Sequence, residues 1–215
     1  MLDHILLDMI AAIRSVFEDA LLERQAIEER FQVDVFLGDV SWETSYSLPG
    51  EGSPPRVRAD ISLDWPTWSQ SAYRSWSIGE SPDEFPEFVI EIALRIQRMS
   101  KVINPTIVIA ALDPVTPGIG TDLLERSSPT IEQVFDDEET TSGSDEEIKY
   151  SEPSRCAIEV SYEGTCRLDE AALTDPETLE KRFAPLGRWI ASTLVRLGDL
   201  NLPFLPPDDP SLGVD

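Results

Sequence analysis

Apolar side chains recur every three or four residues from the start of the chain to about residue 30, and acidic side chains fill most positions between them. The apolar stripe consists of Leu2, Leu6, Met9, Ile10, Ile13, Phe17, Leu21 and Ile27. This spacing is typical of an amphipathic helix with one face on a core. We therefore predict a long N-terminal helix.

The pattern then changes to alternation, which is typical of strands with one buried face. The apolar phase passes from odd to even positions at Gly38, so we expect one strand with a bulge there, or two short strands. Turn residues fill positions 49–55, and Val57–Trp65 then alternates strictly with polar residues. This predicts an antiparallel hairpin, and Tyr73–Ile78 is predicted to add a third strand to the meander.

The middle of the chain contains shorter patterns. Charged residues recur every three or four positions in Phe85–Met99, which favours a helix, although its apolar residues also suit a strand. Thr106–Leu112 is predicted to be a short buried strand, and Thr130–Phe135 one helical turn. Residues 155–168 are predicted to form a hairpin with its turn at Glu163 and Gly164.

The C-terminal part begins with a helix start signal. Thr174, followed by Asp-Pro and Glu177, combines an N-cap, a first-turn proline and a capping-box glutamate. The apolar stripe then continues to Gly198, with a kink or break expected at Pro185.

Together these elements predict an α+β fold: a mixed, mostly antiparallel sheet that starts with a meander, covered by a long N-terminal helix and a C-terminal helix. We predict a single domain over residues 1–200, with an acidic flexible insertion at 113–154 and a Pro-rich extended tail at 201–215. This order of elements is similar to that of the small acidic α+β chaperones of secretion systems. No motif accompanies the similarity, so it assigns no functional residue to this chain.

Charge narrows the range of partners. The chain has 41 Asp and Glu against 17 Lys and Arg, a net charge of −24. This charge disfavours direct binding to nucleic acid or to an anionic membrane surface. Residues 113–154 alone carry a net charge of −10. Arg outnumbers Lys, which is typical of GC-rich or salt-adapted hosts, so host adaptation and function both remain explanations of the acidity.

The compartment is predicted from three features. Asp3 and Asp8 interrupt the first apolar stretch, which also lacks the basic region of a secretory leader. Apolar runs are shorter than a membrane span needs. Cys156 and Cys166 would lie several residue pairs apart on the predicted hairpin, so we expect reduced thiols and a cytoplasmic protein.

Catalytic side chains are scarce. The chain has a single histidine, His4, near its N-terminus, which is a poor position for a rigidly held base or metal ligand. We therefore predict no catalytic residue, no metal and no cofactor. A carboxylate- and metal-dependent hydrolase that uses Asp60, Asp64 and Glu91 remains an alternative, although Asp60 and Asp64 would be about 13 Å apart on one strand.

Aromatic residues are concentrated between residues 42 and 76, where core packing is the simpler explanation. Such residues are also common interface anchors, with arginine beside them. The predicted partner-binding residues are Trp65, Trp68, Tyr73, Trp76, Arg58, Arg74, Asp136, Asp137, Glu138 and Glu139. We predict a non-enzymatic protein-binding module, namely an adaptor, chaperone-like protein or accessory subunit, that uses an acidic surface and a Trp-rich sheet edge. Its expected partner is another protein, for which a basic one fits the charge, or a second copy of the chain. The other alternative is a nucleic-acid mimic or antitoxin-like inhibitor of a basic enzyme.

Overall fold

A computed structural model describes residues 2–36, 39–50, 52–80, 84–112, 116–134 and 155–206. The helices are α1 (Leu2–Leu22), α2 (Thr67–Ser77), α3 (Pro105–Leu112), α4 (Glu170–Thr174) and α5 (Pro176–Gly198). The strands are β1 (Ile27–Phe36), β2 (Asp39–Ser47), β3 (Val57–Trp65), β4 (Glu87–Met99), β5 (Gly118–Ile119), β6 (Asp122–Leu123), β7 (Glu125–Arg126), β8 (Thr130–Val134) and β9 (Arg155–Arg167).

Seven of the described strands form one antiparallel sheet. Its order is β1-β2-β3-β4-β9, and the far side of β9 pairs with β7 at one end and with β8 at the other. Strands β5 and β6 form a separate small hairpin. The predicted α+β class, the mostly antiparallel sheet that starts with a meander, and the N-terminal and C-terminal helices are confirmed. The meander consists of β1, β2 and β3 and does not include the predicted third strand, Tyr73–Ile78.

Helices α1 and α5 pack against each other and cover one face of the sheet. Every second residue of β3, from Val57 to Trp65, is buried beneath them, while the residues between are half-buried on the opposite face. A Cβ atom on Gly187 would lie 3.1 Å from Phe17 Cδ1 and 3.3 Å from the carbonyl oxygen of Val16. Glycine therefore permits the close approach of the two helices. Among the described helices, none is long and apolar enough to cross a bilayer.

The helix prediction for Phe85–Met99 is wrong, because this segment is strand β4. Its even-numbered apolar residues from Phe88 to Ile96 are all buried on the helix side of the sheet. The charged residues Glu87, Glu91 and Arg95 are four positions apart, and this spacing fits a two-residue period as well as a helical one. The alternation of the apolar residues is therefore the feature that correctly indicates a strand here.

Two predicted strands are helices. Thr106–Leu112 belongs to α3, where Asn104 Oδ1 accepts a 3.0 Å hydrogen bond from the backbone N–H of Thr106. Tyr73–Ile78 lies mostly in α2, whose first residue is held from β2: Asp39 accepts hydrogen bonds from the backbone N–H and the hydroxyl of Thr67. These hydrogen bonds lower the pKa of Asp39. In both segments a side chain that hydrogen-bonds to the start of the helix favours the helix over the strand propensity.

The predicted hairpin at residues 155–168 is a single continuous strand, β9, with no turn at Gly164. Gly164 instead gives room to another side chain, since a Cβ there would lie 2.5 Å from Cδ2 of the buried Leu124. Thr130–Val134 is strand β8 rather than a helical turn. Within the acidic insertion, residues 116–134 are thus anchored to the sheet; Phe135 and the rest of the predicted insertion lie outside the described residues.

The ends of the elements differ slightly from the predictions. Helix α1 stops at Leu22, and β1 and β2 are two separate strands; Gly38 lies outside the described residues. The observed bulge of β1 is between Glu28 and Arg30. Helix α5 is capped by Asp175, whose side chain accepts from the N–H of Glu177 at 3.1 Å, and it continues through Pro185 without a break.

The described part of the predicted tail packs against the end of β4. Ser100 N–H donates to the carbonyl of Pro203 at 2.9 Å, and Leu205 N–H donates to the carbonyl of Arg98 at 2.7 Å. Phe204 forms an isolated antiparallel bridge with Met99. Residues 201–206 are therefore attached to the sheet.

Candidate functional site on the open face of the sheet

The face of the sheet opposite α1 and α5 carries polar side chains and has no helix across it among the described residues. Its residues on β2, β3, β4 and β9 include Ser41, Glu43, Ser45, Arg58, Asp60, Ser62, Asp64, Glu91, Arg95, Glu159, Ser161, Glu163 and Thr165. We call this surface the open face.

Charges on one part of the open face are paired. Asp60 accepts a 2.8 Å hydrogen bond from Arg58 Nε and a 2.5 Å hydrogen bond from Ser45 Oγ. Arg95 lies 3.6 Å from Glu159 on the neighbouring strand and also pairs with Glu132 on β8. Arg58 and Arg95 stand opposite each other in the ladder, and these carboxylates offset their repulsion.

Another part of the open face holds unpaired like charges. Glu91 stands directly opposite Glu163 in the β4–β9 ladder, and Glu125 stands opposite Glu163 in the β7–β9 ladder. Residues opposite each other in an antiparallel pair have Cβ atoms about 4.5–5.5 Å apart and project to the same face. The three carboxylates therefore form a row across three strands, which we call the glutamate row. Within the described residues, none of the three forms a salt bridge.

The glutamate row lies in a groove of about 940 Å³. The other residues that line it are Thr121, Asp122, Leu123, Arg126, Ser127, Ser128, Thr130, Ser161, Gly164 and Thr165. The groove thus contains four carboxylates and one guanidinium, that of Arg126, together with several hydroxyl groups. The fourth carboxylate, beside the glutamate row, is that of Asp122. We call this the acidic groove.

One wall of the acidic groove is the segment from β6 to β8, and the sheet holds it in place. Ser127 N–H donates to the carbonyl of Ser161 at 2.9 Å, and Ser161 N–H donates to Ser127 Oγ at 3.1 Å. Leu124, 2% exposed, occupies the space above Gly164. Because main-chain hydrogen bonds and a buried side chain fix this wall, the groove is a formed feature of the fold.

Neutralising the centre of the glutamate row is expected to stabilise the protein. Glu163 has a glutamate on either side, so Glu163→Gln removes two like-charge contacts and should raise the free energy of unfolding by about 0.5–1 kcal/mol at low salt. The gain should shrink at high salt, because exposed charges are screened. Urea unfolding at two ionic strengths measures both effects.

Glu159→Gln is the matched control, since Glu159 lies on the same face of the same strand but pairs with Arg95. It should be neutral or slightly destabilising. An equal gain in stability from both variants would show that the gain comes from the lower net charge and not from the glutamate row.

The structure places the predicted aromatic residues on and under α2 rather than at a sheet edge. Trp65 and Tyr73 are buried, with ring centroids 5.6 Å apart, and Tyr73 lies 5.8 Å from the half-buried Trp76. Trp68, 45% exposed, and Arg74 face solvent. The buried members of this set belong to the core and support the exposed ones.

The structure does not bring Arg58 to these aromatic residues. Arg58 lies on the open face near the start of β3, whereas Trp65 ends that strand on the helix side. Seven residues of strand separate their backbones by about 23 Å. Asp136, Asp137, Glu138 and Glu139 lie outside the described residues.

The two cysteines lie in the core. Cys156 and Cys166 are free and buried, and burial raises the pKa of both thiols, that of Cys166 to about 12. Both are therefore protonated near neutral pH and are poor nucleophiles. The side chain of His4 lies outside the described residues.

The carboxylates of the alternative metal site share the open face but are separated. Glu91 stands opposite Ser62, between Asp60 and Asp64 along β3. Asp60 is already held by Arg58 and Ser45. Among the described residues, no group of three or more His, Cys, Asp or Glu side chains is arranged to hold a metal ion.

A second cavity, of about 390 Å³, lies between the β5–β6 hairpin and the start of α5. Arg182 in its wall donates to the carbonyl of Arg167 at 3.1 Å and pairs with Asp169 at 2.5 Å. Asp169 also caps α4 by accepting from Ala172 N–H at 3.0 Å, and this bond, followed by that from Arg182, lowers the pKa of Asp169. The charges around this cavity thus connect α4, α5 and β9.

The acidic groove is thus the larger of the two cavities described above, and sequence similarity does not assign it a role. No protein-family model matches the chain, and neither a curated protein nor a solved structure matches it significantly.

Proposed function

We propose that the protein is a non-enzymatic protein-binding module that receives a basic segment of a partner protein in the acidic groove. The observation that supports this proposal is the glutamate row. Three carboxylates in register repel each other in the free protein, and a lysine or arginine placed between them would relieve that repulsion. Binding would therefore be favoured by the loss of this repulsion as well as by the attraction between the carboxylates and the partner's cation.

The lining of the groove suits an extended polar segment. Hydroxyl groups of Thr121, Ser127, Ser161 and Thr165 stand beside the carboxylates and can hydrogen-bond to a partner's backbone. An arginine guanidinium can engage a carboxylate with two parallel hydrogen bonds, which gives it an advantage over lysine. We expect fast, salt-sensitive association with an arginine-rich segment.

A second contact with the same partner is proposed on α2. Trp68 is 45% exposed and Ile78 is 72% exposed, and Arg74 lies between them. Tryptophan and arginine are frequent anchors of protein interfaces. Adaptor, chaperone-like and accessory-subunit roles all use binding of this kind. In the proposal the protein works in the cytoplasm, where the free thiols of Cys156 and Cys166 remain reduced.

The experiment measures binding of a fluorescently labelled synthetic arginine-rich peptide by anisotropy at low and high salt. The groove variant carries Glu91→Gln, Glu125→Gln and Glu163→Gln together. The control variant carries Glu23→Gln, Glu80→Gln and Glu84→Gln, which lie outside the groove and change the net charge equally.

The groove variant is expected to bind the peptide at least about tenfold more weakly, and the control variant within about twofold of the original protein, because short-range charge pairs outweigh distant screened charges. When the peptide is titrated into the protein, the backbone amide NMR signals of Glu91, Asp122, Glu125 and Glu163 are expected to shift. Equal losses in both variants would contradict the proposal, since they would show that overall charge alone attracts the peptide.

A further inference from the structure

Strand β1 ends the sheet, and no described residue pairs with its outer edge. The strand is ten residues long, and a row of backbone N–H and C=O groups along such an edge is a template for another strand. Its only irregularity in the ladder is the bulge between Glu28 and Arg30, so the stretch from Arg30 onward is regular. This edge is a surface that the proposed binding function does not use.

The side chains along this edge are complementary to those of a second copy related by a two-fold rotation. On the open face, Arg30 donates a hydrogen bond to Gln32, and Gln32 donates one to Asp34. The charge thus changes sign around Gln32. If a second copy lies antiparallel with Gln32 on the two-fold axis, Arg30 of each copy stands opposite Asp34 of the other.

The same rotation also matches the apolar side chains on the helix-facing side. Phe31 is 44% exposed; its ring lies 3.9 Å from the Arg14 guanidinium carbon and 6.5 Å from the Trp42 ring, which leaves its other side open. Val33 is half-buried. In the two-fold arrangement Phe31 of each copy stands opposite Val33 of the other, an aromatic and β-branched pair that favours strand association.

We infer that β1 is a homodimer interface, in which residues 30–34 of two copies pair antiparallel around Gln32. A second copy fits this edge because both charge pairs and both apolar pairs are supplied by the chain itself. The acidic groove lies at the opposite side of the sheet, from β4 to β7, so dimerisation leaves both grooves accessible. The interface extends the sheet from one protomer into the other.

Sedimentation velocity over a range of concentrations tests the interface by charge exchange. Arg30→Asp and Asp34→Arg each convert two attractive pairs into two like-charge pairs, and each is expected to raise the dimer Kd at least about tenfold. The double variant Arg30→Asp/Asp34→Arg restores the pairs with the charges exchanged, so its Kd should return to within about threefold. Asp64→Arg, on the open face of β3, is the control and should leave the Kd unchanged.

Cysteine cross-linking tests the register. Residues directly opposite in an antiparallel ladder have Cα atoms about 4.5–5.5 Å apart, within the range of a disulfide. Gln32→Cys should therefore form a disulfide-linked dimer under mild oxidation, and Ser62→Cys on β3 should not. The native cysteines are 1–2% exposed and do not compete.

Three results would overturn the inference: a monomer at all concentrations, a dimer that Arg30→Asp leaves unchanged, or a double variant that does not recover. The first of these results includes a chain that stays monomeric while its β1 edge pairs with an unrelated extended peptide. Circular dichroism confirms that each variant is folded before its Kd is measured.

Discussion

Replacing Trp65 with alanine is expected to lower the free energy of unfolding by about 3–5 kcal/mol, the cost of deleting a large buried ring. Trp65 is 1% exposed, and its ring makes edge contacts with Tyr73 and Phe88 at centroid distances of 5.6 and 5.3 Å. Its indole N–H donates to Ser69 Oγ at 2.7 Å, and Ser69 bonds both backbone groups of Glu87. The substitution removes the centre of the contact between β3, α2 and β4.

Trp68→Ala is the matched control, because Trp68 belongs to the same segment but is 45% exposed. Its expected cost is below about 1 kcal/mol, as is usual for exposed side chains. Urea unfolding followed by far-UV circular dichroism compares the two. If Trp65→Ala cost no more than Trp68→Ala, the burial of Trp65 would be contradicted.

The strands were predictable where one face of the sheet is buried and the other is polar. In β3 every apolar residue from Val57 to Trp65 faces the helices, and alternation alone identifies the strand. In β4 the same alternation is present, but Glu91 and Arg95 are also spaced like a helical pair. In the fold Arg95 pairs across strands with Glu159 instead, so the i,i+4 spacing of the charges misled the prediction.

Short apolar segments could not be assigned from local pattern, because their structure depends on residues distant in the chain. The first residue of α2 is held by Asp39, which lies on β2. The sequence predicts a turn at Gly164, yet this residue lies within the continuous strand β9 and leaves room for the side chain of Leu124. Neither contact can be predicted from the residues next to it in the sequence.

The candidate site could not be predicted for the same reason. Glu91, Glu125 and Glu163 belong to three strands far apart in sequence, and the ladder registers of β9 with β4 and β7 make them neighbours. The total charge of −24 predicted an acidic surface but not its position. Predicting the row would have required the correct assignment of β4, of β7 and of a continuous β9.

Replacing Gly187 with leucine is the second change expected to have a large effect. At the crossing of α1 and α5 even a Cβ would lie 3.1 Å from Phe17 Cδ1, 3.3 Å from Ala20 Cβ and 3.3 Å from the carbonyl oxygen of Val16. The backbone atom and the fully buried Phe17 cannot move without separating the helices. We therefore expect a loss of about 1–3 kcal/mol or more in the free energy of unfolding.

Two further variants separate overpacking from helix propensity. Gly187→Ala adds only the Cβ, and its gain in helix propensity of about 1 kcal/mol should offset the close contacts, so its stability should change little. Ala184→Leu adds the same kind of side chain one turn earlier, at the solvent-facing groove between α1 and α5, and should change stability by less than about 0.5 kcal/mol. Thermal and urea unfolding rank the three. Of the two positions, only 187 lies in the crossing. Destabilisation by Gly187→Leu alone would therefore establish that the close α1–α5 packing depends on glycine there. An equal loss of stability in both leucine variants would contradict it.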